Sequence, residues 1–282
     1  MPNVRPKLDL RSGSYDDVLQ RVERSLDVQL NRTTMILKRR SIGLASDRGT
    51  WVRVEVRPPE KTAEQGWNGT ETSAALHGVA RPEWRQSVSW NDPDQDLMWR
   101  ADETDLVADH PVKPGGILTA DPGLSEKWWA TLRSSLTALS GHSTTRLATP
   151  HTEKITQARI DLAITGAFGD QLDTKVEQWS AAHADLNWAN LTTPTCMLLD
   201  WEDWGMAPHG LDPANLWVNS LAVPDLASRV YQECEQELES KTGKIMALFL
   251  CADIVSAPPS YSGPLHEPAL RAVDRLVKEL RL

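Results

Sequence analysis

Residues 51–57 alternate strictly, with Val52, Val54 and Val56 on one side and Arg53, Glu55 and Arg57 on the other. A strand does this when one face is buried and the other is wet. Shorter runs at residues 35–38, 42–46, 87–90 and 97–101 predict further strands. Asp47-Arg48-Gly49 has the composition of the tight turn that would join the second strand to the third. One helix is expected to interrupt the series, starting near residues 68–70 after Gly66 and carrying Glu71, Ala74, Ala75 and Leu76.

After Pro114-Gly115-Gly116 the period changes from two to helical. Residues 124–139 and 152–164 repeat apolar positions at helix spacing, and a loop and two short apolar strands follow. From Pro213 the chain reads as helix again, ending in the amphipathic residues 268–280. Strands first and helices after predict an α+β fold of two lobes: a small β-rich N-terminal lobe over residues 1–107 and a larger, mainly helical C-terminal lobe over residues 108–282. No repeat period and no low-complexity tract argues for a solenoid or a long linker.

The 282 residues are 40% hydrophobic, enough for a sizeable buried core. Thirty basic against 39 acidic side chains leave a formal charge of -9, which gives no reason to expect binding to nucleic acid or an anionic membrane. Residues 1–11 are charged and contain proline, unlike a signal peptide. The best apolar stretch, residues 245–255, is too short to span a bilayer and contains Asp253, so a cytoplasmic protein is expected. Cys196, Cys234 and Cys251 are odd in number and far apart, the pattern of free buried thiols. Twelve Trp against three Tyr and two Phe imply rings that fill core gaps, some of them beside a cleft.

Candidate chemistry concentrates in His183-Ala184-Asp185-Leu186-Asn187-Trp188-Ala189-Asn190 and in the apolar run Met197-Leu198-Leu199 that ends at Asp200. Phosphoryl transfer needs hard oxygen ligands for Mg²⁺ and a carboxylate to orient the attacking hydroxyl. A loop with Asp and Asn five apart, followed by a strand delivering a second Asp, supplies both. The spacing H-x-D-x-x-x-x-N is that of a kinase catalytic loop.

The two segments together, HADLNWAN and LLDWEDWG, resemble the catalytic loop and metal-binding strand of the aminoglycoside phosphotransferase and choline kinase family, which has a protein-kinase-like fold. The resemblance is clear over about residues 179–217 and weaker before them. It implies ATP and Mg²⁺ as cofactors, Asp185 as the base for the acceptor hydroxyl, and Asn190 and Asp200 as metal ligands. His183 would brace the loop, and Asp212 would either do the same or cap the next helix.

The N-terminal half departs from the family pattern. No G-x-G-x-x-G precedes the third strand, and residues 39–43 or the turn at Gly49 are left to cover the nucleotide. The third strand carries no lysine, so Arg53, paired with Glu71, is the candidate for the phosphate-binding role; the alternative is that Arg53 and Arg57 are a solvated face. Glu202, two residues after Asp200, would share its strand face and either assist the site or form an ion pair. Trp188 and Trp201 either pack or stack on an acceptor, and His209 is structural. The segment that presents backbone groups to adenine is expected within residues 100–106.

The implied function is transfer of the γ-phosphoryl group of ATP to a hydroxyl of a small molecule, an aminoglycoside-like compound or an amino alcohol. Two alternatives stay open: a Ser/Thr kinase of a natural-product precursor peptide, and a pseudokinase that binds a partner. The partner classes are thus a small-molecule or peptide hydroxyl acceptor, without nucleic acid or membrane.

Overall fold

The structure, a computed structural model, describes residues 9–61, 65, 67–113, 115 and 117–281. The expectations for residues 1–8, Gly66, Pro114 and Gly116 lie outside the described residues. The chain divides into two compact units, Met1–Ala74 with Pro82–Ala108, and Ala75–Arg81 with Asp109–Leu282.

Alternation builds the first unit. Its strands are β1 (Ile36–Leu37), β2 (Ser41–Ala45), β3 (Thr50–Arg57), β4 (Trp84–Asp92) and β5 (Leu97–Asp105), paired antiparallel in the order β1-β2-β3-β5-β4. Val52, Val54 and Val56 are fully buried on one face, where they join Ile42, Leu44, Trp99 and Ala101. Each such side chain contributes roughly 1.5–3 kcal/mol on leaving water. Helix α1 (Asp16–Leu26) adds Leu19, Val22 and Leu26 to this cluster. Their spacing is helical, and α1 is the element the strand-centred reading of this region passes over. Trp90 and Trp99, directly opposite each other on β4 and β5, stack at 6.1 Å. The expected helix is present but short, as α2 (Gly69–Thr72). Residues 100–105, expected in the adenine-binding connection, belong instead to β5, because the ladder with β3 runs unbroken to Asp105.

Helices dominate the second unit. Ser125 and Thr156, whose side chains accept the N–H groups of Trp128 and Arg159, cap α3 (Glu126–Ser140) and α4 (Gln157–Phe168). Two small antiparallel ladders follow: β6 (His110–Pro111) with β8 (Thr192–Thr193), and β7 (Trp179–Ala182) with β9 (Gly205–Pro208). The rest is α5 (Leu211–Val218), α6 (Pro224–Glu233), α7 (Glu235–Glu239), α8 (Lys241–Ser256), α9 (Pro259–Ser262) and α10 (His266–Leu280). Helix α8 is apolar nearly all round because it is buried nearly all round, with Ile245, Met246, Leu248 and Cys251 inaccessible. Among the described residues no single helix is long and apolar enough to cross a membrane. All three cysteines are free and buried, and burial pushes each thiol up to about 12.

Candidate active site

Strand β7 delivers the chain into the loop at residues 183–190, and that loop is held from beneath by one carboxylate. Asp212, in the first turn of α5, accepts the backbone N–H of His183 at 2.6 Å and that of Ala184 at 2.8 Å. Burial pushes the Asp212 carboxyl up from its ordinary value, while His183 and the two backbone N–H groups pull the other way. Gly210 makes this seat: its φ is +84°, and a Cβ there would lie 3.1 Å from the Gly243 Cα on α8.

His183 is fully buried. Its Nε2 donates to the Leu199 carbonyl at 2.7 Å, which leaves Nδ1 to accept the N–H of Asp185 at 3.4 Å. A carbonyl can only accept, so the tautomer follows from the partner. Trp201 meets the imidazole edge-on at 4.7 Å. His183 thus ties the start of the loop to the segment that ends at Asp200.

Both oxygens of the Asp185 carboxylate are engaged by amides. Asn187 Nδ2 donates to Oδ1 and Asn190 Nδ2 to Oδ2, each at 3.0 Å. Because a carboxylate offers only lone pairs, the nitrogen of each asparagine must face it. The Oδ1 of Asn187 accepts the Ala189 N–H at 2.9 Å, and the Asn190 Nδ2 also donates to the Asp185 backbone carbonyl at 2.8 Å. Asn187 is a site residue the sequence reading missed. Its signal was its place inside the spacer between Asp185 and Asn190.

Asn190 is linked to Asp200 through the backbone, since the Leu199 N–H donates to the Asn190 carbonyl at 2.8 Å. The expected strand before Asp200 is reduced to one bridge, Leu191 with Leu198. Asp200 itself adopts φ +68°, and Ala184, just before Asp185, adopts φ +73°. Non-glycine residues at such angles cost of the order of 1 kcal/mol or more and persist where the surroundings impose them. Here they adjoin the candidate base and are one of the candidate ligands. Because Asp200-Trp201-Glu202 is a turn, the expectation that Glu202 shares a strand face with Asp200 fails. Among the described residues no three His, Cys, Asp or Glu side chains converge as a metal cage. The candidate ligands, the Asp200 carboxylate and the Asn190 amide oxygen, are hard oxygen donors of the kind Mg²⁺ takes together with water and phosphate oxygens.

Trp188 and Trp201 both pack in the interior, and Trp188 also lines a cavity beside Asp185. The Trp188 ring is buried against Trp128 and Trp129 at 6.1 and 6.3 Å, with its Nε1 donating to Ser220 Oγ at 3.0 Å. Trp201 is buried too, and its Nε1 donates to the Leu198 carbonyl at 2.8 Å. His209 shares a hydrogen bond with Ser180 at 3.1 Å.

In the first unit the pairing of Arg53 with Glu71 is corrected. Register puts Arg100 of β5 opposite Glu55 and Asp102 opposite Arg53, on the face away from the valines. Arg53 pairs with Glu55 on its own strand. Glu71 is held by Arg100 at 2.9 Å, and the same guanidinium grips both oxygens of Asp102 at 2.6 and 2.7 Å. Arg100 is buried, and no local pattern in the sequence points to it, because its partners are set by strand register.

Beside Asp185 the second unit contains a cavity of about 350 Å³. Asp185, Asn187, Asn215, Asn219 and Asp253 supply polar groups to its wall, and Phe249 is among its apolar ones.

No protein-family model matches the sequence, and no curated protein matches it either. Solved structures do resemble it. Aminoglycoside phosphotransferase APH(4)-Ia has a TM-score of 0.59 at 10% identity, over 94% of this chain and 99% of that one. The amicoumacin kinase hAmiN, in complex with AMP-PNP, Ca²⁺ and Ami, has 0.53 at 11%, over 93% and 96%. Choline kinase LicA from Streptococcus pneumoniae has 0.50 at 12%, over 95% and 99%. At these identities the likeness establishes the fold: an α+β, protein-kinase-like architecture of the aminoglycoside phosphotransferase and choline kinase type.

Proposed function

We propose that this protein is a phosphotransferase that uses ATP and Mg²⁺ to phosphorylate a hydroxyl of a small molecule held in the cavity beside Asp185. The observation that carries the reading is the Asp185 carboxylate itself, fixed by one amide on each oxygen and lining a cavity large enough for a small acceptor. The structural neighbours named above include an aminoglycoside phosphotransferase and a choline kinase, which agrees with a small-molecule acceptor.

In this reading Asp185 accepts the proton of the acceptor hydroxyl as that oxygen attacks the γ-phosphorus. The bond from the γ-phosphorus to the bridging oxygen breaks, and ADP leaves with the electron pair. Asn187 and Asn190 hold the carboxylate in the orientation that receives the proton. Asn190 Oδ1 and the Asp200 carboxylate would hold Mg²⁺, which when bound neutralises phosphate charge. Arg53 would contact the nucleotide phosphates from β3, and Glu71 would be steadied by Arg100 rather than by Arg53. A cytoplasmic location, with access to ATP, goes with this chemistry.

The absence of a lysine on β3 favours a second reading, a pseudokinase that binds a partner without turnover. A peptide acceptor has less support, since about 350 Å³ is at the small end of the range for small-molecule sites. Titration of AMP-PNP affinity with Mg²⁺ in wild type, Asn190→Ala and Asp200→Asn tests the metal assignment. The variants are expected to need at least about tenfold more Mg²⁺. Identical titrations in all three would sink that assignment.

A further inference from the structure

Asp200 turns the chain in a left-handed conformation, and the backbone is held on either side of it. Before Asp200, the loop at residues 183–190 holds Leu199 through His183 and Asn190. After Asp200, the chain is held by residues 146–149, which take no part in the phosphotransfer steps given above. The Arg146 carbonyl accepts the N–H of Met206 at 2.8 Å, and the Ala148 N–H donates to the Met206 carbonyl at 3.0 Å. Thr149 donates its N–H to the Asp203 carbonyl at 3.0 Å and its hydroxyl to the buried Asp203 carboxylate at 3.2 Å. Gly205 lets the two backbones come this close.

The half-buried Arg146 side chain takes the two carbonyls that flank Asp203. Its Nε donates to the Trp204 carbonyl at 3.2 Å and its Nη2 to the Glu202 carbonyl at 3.4 Å, while the guanidinium lies 5.6 Å from the Trp204 ring centroid. Three successive carbonyls, those of residues 202–204, are thus tied to one short segment. The backbone bonds to Asp203 and Met206 would form with any side chain at position 146, but the hold on Glu202 and Trp204 needs the arginine. A guanidinium is a rigid planar fork, so it fixes the separation of the two carbonyls, whereas a lysine ammonium is a point donor on a flexible stem.

We infer that Arg146 is a positioning residue for the metal: its fork fixes the turn that follows Asp200 and so keeps the Asp200 carboxylate in the orientation that binds Mg²⁺. It acts through Asp200 rather than on the metal. For the role of Asp200 this rests on the phosphotransferase reading, while the grip of Arg146 on the turn stands without it. Groups one step removed from a metal ligand set its aim, and their loss weakens metal binding about 10–100-fold.

The test is calorimetry of AMP-PNP binding to the full chain, without Mg²⁺ and across a Mg²⁺ titration, for wild type, Arg146→Met and Leu276→Ala. Leu276 is buried on α10 and stands for a general loss of stability. Arg146→Met is expected to bind AMP-PNP without Mg²⁺ within about twofold of wild type, yet to need at least about tenfold more Mg²⁺ for the metal-dependent gain in affinity. Leu276→Ala is expected to titrate like wild type at a lowered melting temperature. Hydrogen exchange adds a readout that involves no metal: in Arg146→Met the amides of residues 200–206 are expected to exchange at least about tenfold faster, with the rest of the chain little changed. A wild-type Mg²⁺ titration in Arg146→Met, an equal shift in Leu276→Ala, or unchanged exchange at residues 200–206 overturns the proposal. If Arg146→Met fails to fold, Arg146→Lys carries the same expectations, since it keeps the charge and loses the fork. Wild type whose AMP-PNP affinity ignores Mg²⁺ removes the metal assignment itself, and the two inferences then fall together; wild type that responds beside an Arg146→Met that responds identically sinks this one alone.

Discussion

The Asp212 carboxylate accepts the backbone N–H of His183 at 2.6 Å and also receives the N–H of Ala184, so a buried side chain on α5 fixes the turn that presents Asp185. Asp212→Asn places an N–H group against one of these donors. A loss of about 2–4 kcal/mol in chemical denaturation is expected, from a broken buried contact that cannot reach water.

The same residue gives stability a pH signature. Burial raises the folded-state pKa of Asp212 above its ordinary 3.8. A carboxyl raised on folding stabilises the native state most where it is protonated in both states, below 3.8, and that increment is lost as pH rises through the folded value. The melting temperature of wild type minus that of Asp212→Asn is therefore expected to fall on going from pH 4 upward. A difference that grows with pH would contradict it.

Arg100 and Glu71 separate fold from function. Arg100→Leu leaves Asp102 buried without its guanidinium and is expected to cost about 3 kcal/mol or more. Glu71→Gln breaks only the link to α2, where the Glu71 side chain is 41% exposed, and is expected to lower stability by well under 1 kcal/mol. Paired urea melts decide this; equal losses in the two variants would show that the link to Glu71, not the grip on Asp102, carries the stability.

Much of this architecture could be read along the chain, and the reasons it stopped are physical. The alternation of Val52, Val54 and Val56 fixes a strand because burial on one face leaves a period of two. The order His183, Asp185, Asn190 marked the loop because its chemistry needs those groups at that spacing. The Arg100 to Glu71 pair was not legible, since it depends on β5 lying beside β3, a register that no local pattern encodes. Asp200 was expected at the end of a strand, yet its positive φ arises from the constraint of its surroundings, which apolar neighbours in sequence do not reveal.

Gly205 tests the packing beneath the loop. A Cβ there would lie 2.5 Å from the Leu147 carbonyl carbon and 2.7 Å from the Ala148 nitrogen, both backbone atoms. Gly205→Ala must shift the β7–β9 ladder that feeds residue 183, and a loss of about 2 kcal/mol or more is expected by thermal melting. A melt within error of wild type would contradict the close approach.

The cysteines report on cooperativity. With all three thiols buried and pushed up to about 12, iodoacetamide at pH 8 is expected to label none of them in the folded protein and all of them in urea. Mass spectrometry counts the labels, and fast labelling of Cys196 alone would mean that the segment after β8 opens locally.

The most direct measurement is acceptor-stimulated ADP release from MgATP by wild type and Asp185→Asn, assayed against aminoglycosides, sugars, choline-like alcohols and Ser/Thr peptides. Turnover that depends on a small-molecule acceptor and falls by at least about 100-fold in Asp185→Asn is the result expected of a phosphotransferase with Asp185 as its base. Wild type that binds MgATP yet turns over no acceptor, or turnover that survives Asp185→Asn undiminished, would contradict it.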